Sequence, residues 1–158
     1  MNIDTLKTTA AAMVAPGKGI LAMDESHPTC NKRFEALGIP TTPEMRREYR
    51  TMLVTPPKLG QHIGGAILFD ETIRDCVVDG RSFVEVLTEQ GIVPGIKVDA
   101  GAKDLALRSG EKVTEGLDGL GPRLVEYGEM GARFAKWRAG YAIGDALPSQ
   151  ACFSANAH

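Results

Sequence analysis

The chain has 158 residues, 43% of them hydrophobic and 24% charged, with a net charge of −2. That balance suits one ordinary globular domain and gives no electrostatic case for nucleic acid or a membrane surface. No apolar run approaches the roughly 18 residues of a membrane span. The opening "MNIDTLKTTAAAMVAP" has neither a secretory h-region nor the Arg-rich character of a transit peptide, so a cytoplasmic location is expected. Cys30, Cys76 and Cys152 are odd in number and scattered, which suggests reduced thiols rather than a disulfide framework or a metal cluster.

Ile3, Leu6, Ala10 and Met13 keep helical spacing and stop at Pro16-Gly17, predicting a first helix. "KGILAMDES" follows as a short apolar run, read as a buried strand with its polar residues at the C-terminal end. In "TTPEMRREYRTMLV", Thr42 is placed to cap a helix, Pro43 to open it, and Met45, Tyr49, Met52 and Leu53 to form its apolar stripe. From Ile63 to Phe69 the sequence is continuously apolar, as a strand covered on both faces would be. "RSFVEVLTEQG" carries the capping box Ser82 and Glu85, turns Phe83, Val86 and Leu87 inward, and closes on Gly91. A third strand is expected in "IVPGIKVDAG", then a helix bearing Leu120, Leu124 and Tyr127 that runs to about Gly131. "RFAKWR" reads as the fourth strand, and Pro148 sits where a last helix would begin.

Strands near residues 20, 66, 95 and 135 alternating with helices imply crossover connections and a parallel sheet. Periodicity alone leaves open whether the sheet is doubly wound or part of a (β/α) barrel. Lys136 and Arg138 stand two apart, and in a strand that spacing points both to one side. Asp24 ends the first strand and Lys97 the third, so the charged strand residues all fall at C-terminal ends, the rim where parallel α/β folds bind ligands. Three cations facing one carboxylate predict an anionic, phosphorylated substrate. Each position also has a plainer reading. A single strand-end lysine commonly snorkels to the surface, Asp24 suits a pair with a nearby lysine or a helix cap, and Ser26 and Thr29 suit ordinary turn hydroxyls. Arg33 and Arg46 read as solvated helix charges, and Glu25 as part of a network behind the site. The three histidines lack ligand spacing, so no metal or other cofactor is assigned; no phosphate-binding P-loop occurs, and "GLDGLG" has no strand immediately before it.

"APGKGILAMDES", "NKRFEALGI", "IGGAILFDET", "DGRSFVEVL", "GIVPGIKVDAG", "TEGLDGL" and "FAKWRAGYAIGDALPS" resemble, in order, successive blocks of class I fructose-bisphosphate aldolases. The resemblance implies an α/β fold, a (β/α)8 TIM barrel, and metal-independent cleavage of fructose 1,6-bisphosphate to dihydroxyacetone phosphate and glyceraldehyde 3-phosphate through a lysine Schiff base. It gives Asp24 a part in proton handling and Lys97 a part in substrate binding. Lys136 would assist carbinolamine conversion, Arg138 would bind anion, and Ser26 and Thr29 would meet the distal phosphate. Closed barrels of this kind take about 250 residues or more. The resemblance therefore makes residues 1–158 the N-terminal half of the barrel domain, a partial barrel with about four of the eight strands. The Schiff-base lysine, which the family carries on a later strand, would be missing, so the chain alone is expected to be inactive. Unpaired outer strands would favour a homo-oligomer or association with a complementary C-terminal half. The rival expectation is a non-catalytic half-barrel that binds sugar phosphates or aldolase subunits.

Overall fold

The four expected apolar stretches do pair into one sheet. The structure, a computed structural model, describes residues 2–158. Strands β1 (Gly19–Ala22), β2 (Ile63–Leu68), β3 (Val93–Lys97) and β6 (Phe134–Lys136) lie in the order β1-β2-β3-β6. β1 pairs parallel with β2, and β2 with β3, in a register that sets Gly65 beside Val93 and Leu68 beside Ile96. Two backbone bonds carry the ladder on to the fourth strand: Arg133 N–H donates to the Pro94 carbonyl at 2.8 Å, and Val98 N–H to the Lys136 carbonyl at 3.1 Å. This is the α/β, partial-barrel arrangement.

Helix α1 (Ile3–Met13) precedes β1, and α2 (His27–Glu35), α3 (Pro43–Val54), α4 (Asp70–Ile73) and α5 (Phe83–Glu89) lie in the connections between strands, with a 3-10 turn at Leu59–Gln61. The chain up to Lys97 together with Val125–Ala135 forms one compact unit. Its core holds Met23, Cys30, Val54, Ala66, Leu68, Phe83, Leu87, Ile92 and Ile96, each at most 1% exposed. Burying each of the large side chains contributes about 1.5–3 kcal/mol before entropy is counted. Glycines admit the closest approaches. A Cβ on Gly64 would meet the Ala12 and Met13 carbonyl oxygens at 2.6 Å, so α1 crosses β2 only because that position has no side chain. Gly95 leaves room for the Phe134 ring in the same way.

Three expectations change here. β1 is not a buried strand: Ile20 is 43% exposed, and full burial begins only at Met23. It is an outer strand with β2 on one side alone. In α3, Thr42 caps the helix and Pro43 opens it as expected. The buried face, however, carries Arg46, Arg50 and Val54, while Met52 is 62% exposed. The inward stripe is the expected one rotated by about one residue, close to 100°. Arg46 is therefore not a solvated helix charge. The reason is pairing: partly buried carboxylates meet it and Arg50 on that side, as set out below.

Residues 98–124 and 136–158 form a second unit. It contains an antiparallel hairpin, β4 (Ala102–Asp104) with β5 (Lys112–Thr114), which the alternation pattern did not foreshadow. Helix α6 (Leu120–Glu129) begins in this unit and ends in the first, and α7 (Gln150–Ala157) lies wholly in the second. Asn156 accepts from Thr114 N–H at 3.0 Å and donates to the Lys112 carbonyl at 2.9 Å, fastening α7 to β5. Glu111, 2% exposed, accepts from both the backbone N–H and the hydroxyl of Ser149 at 2.6 Å, just before α7. Those two bonds hold its carboxyl below the ordinary glutamate value.

Candidate active site

Asp24 follows the last β1 residues and is buried at 9% exposure. Its surroundings are built by α3. The Arg50 guanidinium, 3% exposed, donates through Nη1 to the Met23 carbonyl and the Glu25 carboxylate, and through Nη2 to the Glu25 carbonyl at 2.8 Å. Arg33 and the Tyr49 hydroxyl reach the other Glu25 oxygen, Tyr49 at 3.3 Å. Burial works against the Glu25 charge, but the Arg50 hydrogen bond, a backbone bond and the two arginine charges outweigh it and hold the carboxyl below its usual range. Glu25 is thus the hub of a network, as its sequence position suggested.

A second cluster lies beside it. Arg46 grips Glu71 bidentately, Nε to Oε2 at 2.9 Å and Nη2 to Oε1 at 2.7 Å, and Nη1 reaches Asn31 Oδ1 at 3.1 Å. His27 Nε2 stands 3.1 Å from Glu71 Oε1. Hydrogen bonds from Arg46 depress the Glu71 carboxyl, against the opposing effect of burial, with help from His27. Both clusters tie α2 down at its two ends. Ser26 is the N-cap residue of α2, and its Oγ lies 3.3 Å from the Thr29 hydroxyl, so the two hydroxyls stand together at that helix start.

Lys97 closes β3 and Lys136 closes β6, the neighbouring strand in the sheet order; both are partly buried. Arg138 lies two residues past the strand and is exposed, and its carbonyl accepts from the Thr114 hydroxyl at 2.8 Å. Asp24, Ser26, Thr29 and Lys97 belong to the first unit, Lys136 and Arg138 to the second. The second unit also has a cleft of about 630 Å³ bordered by Thr114, Glu115, Gly116, Asp118 and Arg123, and none of the six expected site residues lines it. Sequence reasoning missed Arg46, Arg50 and Glu71. The available signal was the i, i+4 spacing of the two arginines on one helix face, with Glu25 and Glu71 following strand ends.

A parallel sheet whose strands are joined through helices defines the α/β class. Within that class the chain belongs to the class I fructose-bisphosphate aldolase family, whose model, "Fructose-bisphosphate aldolase class-I", matches residues 5–158. It is 59% identical over 158 residues to a "Probable fructose-bisphosphate aldolase class 1" of Xanthomonas campestris pv. campestris, covering all of this chain and 47% of that protein. It is 55% identical over 135 residues to the chloroplastic fructose-bisphosphate aldolase of Oryza sativa subsp. japonica, covering 85% of this chain and 35% of that one. Among solved structures, the aldolase of Plasmodium falciparum, crystallised with TRAP and a small-molecule inhibitor, superposes with a TM-score of 0.93 at 44% identity, covering 96% of this chain and 44% of its own. The chain thus spans about half the length of the curated relatives it matches over its whole length.

Proposed function

We propose that residues 1–158 supply the N-terminal half of an aldolase barrel domain and, with it, part of a site for the reversible cleavage of fructose 1,6-bisphosphate. Asp24 takes part in moving protons at the substrate hydroxyls. Lys97 binds substrate, Lys136 assists carbinolamine conversion and balances charge, and Arg138 attracts anion. Ser26 and Thr29 hold the distal phosphate with their hydroxyls at the start of α2. The observation that supports this reading best is that Asp24, Lys97 and Lys136 each stand at the C-terminal end of a strand in one sheet. No counterpart of the family's Schiff-base lysine is assigned within these residues, so the chain alone binds sugar phosphate with little or no turnover. Its open outer strands associate with a complementary half or with a second copy.

Calorimetry of the chain with fructose 1,6-bisphosphate tests the reading: binding is expected, and Lys97→Ala combined with Arg138→Ala should abolish it. Absence of binding by the parent chain sinks the site assignment. Borohydride added with substrate should trap no covalent adduct, and an adduct on Lys97 or Lys136 would overturn their roles. Binding without turnover, accompanied by capture of intact aldolase subunits, favours the non-catalytic alternative.

A further inference from the structure

We propose that Arg50 is the positioning residue for Asp24. The significance of that positioning rests on the role given to Asp24 above. Three facts converge on it. First, Asp24 lies just past the end of β1: the strand ends at Ala22, and Met23 N–H still donates to the Ile67 carbonyl at 3.2 Å. Past Ala22 the segment that carries Asp24 lies outside the strand.

Second, Arg50 supplies the anchor on both sides. One guanidinium donates to the carbonyls of Met23 and Glu25, the residues that flank Asp24, and the same Nη1 also meets the Glu25 carboxylate. A simple ion pair would need only the carboxylate. Fixing two carbonyls two residues apart holds the intervening Cα and so the direction in which its Cβ leaves the chain. Third, the donor itself cannot drift. Its side chain is 4% exposed, its carboxylate partner Glu25 is held in turn by Arg33 and Tyr49, and it rises from a helix fixed by the Thr42 cap. Only a planar fork of fixed geometry can make these bonds at once; a lysine ammonium keeps the charge but cannot span both carbonyls.

Arg46 provides an internal comparison. It is also buried on the same helix, at 7% exposure against 3%, and also paired to a glutamate, yet it touches neither carbonyl beside Asp24. The test therefore sets Arg50→Lys against Arg46→Lys in the full chain. The chemical shift of the Asp24 carboxyl carbon at pH 7 is followed by NMR, together with amide exchange at residues 24–26 and the melting temperature. Both variants should melt lower. Only Arg50→Lys should move the Asp24 carboxyl signal and speed exchange at 24–26 by about tenfold or more. Parallel changes in both variants, or no change in either, reduce Arg50 to a packing role and overturn the proposal.

Should Arg50→Lys fail to fold, the parent chain decides. Its Arg50 Nη protons should exchange slowly and show hydrogen-bond couplings to the Met23 and Glu25 carbonyl carbons; freely rotating, fast-exchanging Nη groups overturn the proposal. Calorimetry separates the two readings. Failure of the parent chain to bind fructose 1,6-bisphosphate removes the functional role of Asp24, while the NMR comparison still decides whether Arg50 positions it.

Discussion

Glu25 and Glu71 show how single side chains set the conditions under which this chain holds together. Each is a carboxylate satisfied mainly by arginine, and each is held below the ordinary glutamate value of 4.5 in the folded state. As pH falls, the unfolded chain takes up these protons before the folded one does. The stability that they contribute is therefore whole above about pH 4.5 and is lost as pH drops through the lower folded values. Acid unfolding followed by circular dichroism should reveal this in Glu71→Gln, which should start less stable at neutral pH and then lose less on acidification than the parent. Parallel acid curves for the two proteins would remove Glu71 from the account. Arg46→Met is the harsher change, since it leaves the partly buried Glu71 carboxylate with His27 alone and takes the arginine donor from the Asn31 side chain. Denaturant titration at pH 7 should report a loss of about 1–3 kcal/mol.

Secondary elements were legible wherever local chemistry alone decides them. The Ser82–Glu85 capping box forms with both of its reciprocal bonds, Glu85 N–H to Ser82 Oγ at 3.1 Å and Ser82 N–H to Glu85 Oε2 at 2.8 Å. Phe83, Val86 and Leu87 are buried as their spacing required. Elements whose exposure depends on distant partners were harder to read. The helix α1 exists where Ile3, Leu6, Ala10 and Met13 put it, yet Ile3 and Leu6 are 63% and 50% exposed. α3 turned charged residues inward because Glu25 and Glu71, 25 residues away from their partners in either direction, meet them there. The β4–β5 hairpin was not legible because its strands are three residues each, with one apolar residue apiece. For the site, strand-end residues could be read from the alternation of strands and helices, but the arginine supports could not, since periodicity weighs apolar residues and ignores buried ion pairs. Gly64 gives the element-scale test. Gly64→Ala forces α1 away from β2, because the atoms that it meets are backbone carbonyls and cannot rotate aside. A loss of about 1–3 kcal/mol is expected in thermal or denaturant unfolding, against roughly 1 kcal/mol for Ser82→Ala, which removes only a cap. A neutral Gly64→Ala would mean that α1 does not press on the strand.

At the scale of the molecule, the sheet has two inner strands that are buried and two outer strands that are not. β2 and β3 are closed off almost completely, whereas β1 exposes Gly19, Ile20 and Ala22, and β6 exposes Ala135. An outer strand with a bare apolar residue and unpaired backbone is a template for another strand. The proposal that the chain associates through these strands therefore has a direct consequence: light scattering after size-exclusion chromatography should give a mass above 16.9 kDa that rises with concentration. Ile20→Lys places a charge on the open strand without touching the core, since Ile20 is already 43% exposed. It should shift the chain toward monomer while leaving the melting temperature of the monomer nearly unchanged, because lysine on an outer strand opposes pairing in the assembly and costs little in the isolated chain. If the parent chain stays monomeric up to high concentration, the outer strands are satisfied without a partner. Association that is indifferent to Ile20→Lys would instead move the contact elsewhere, away from β1.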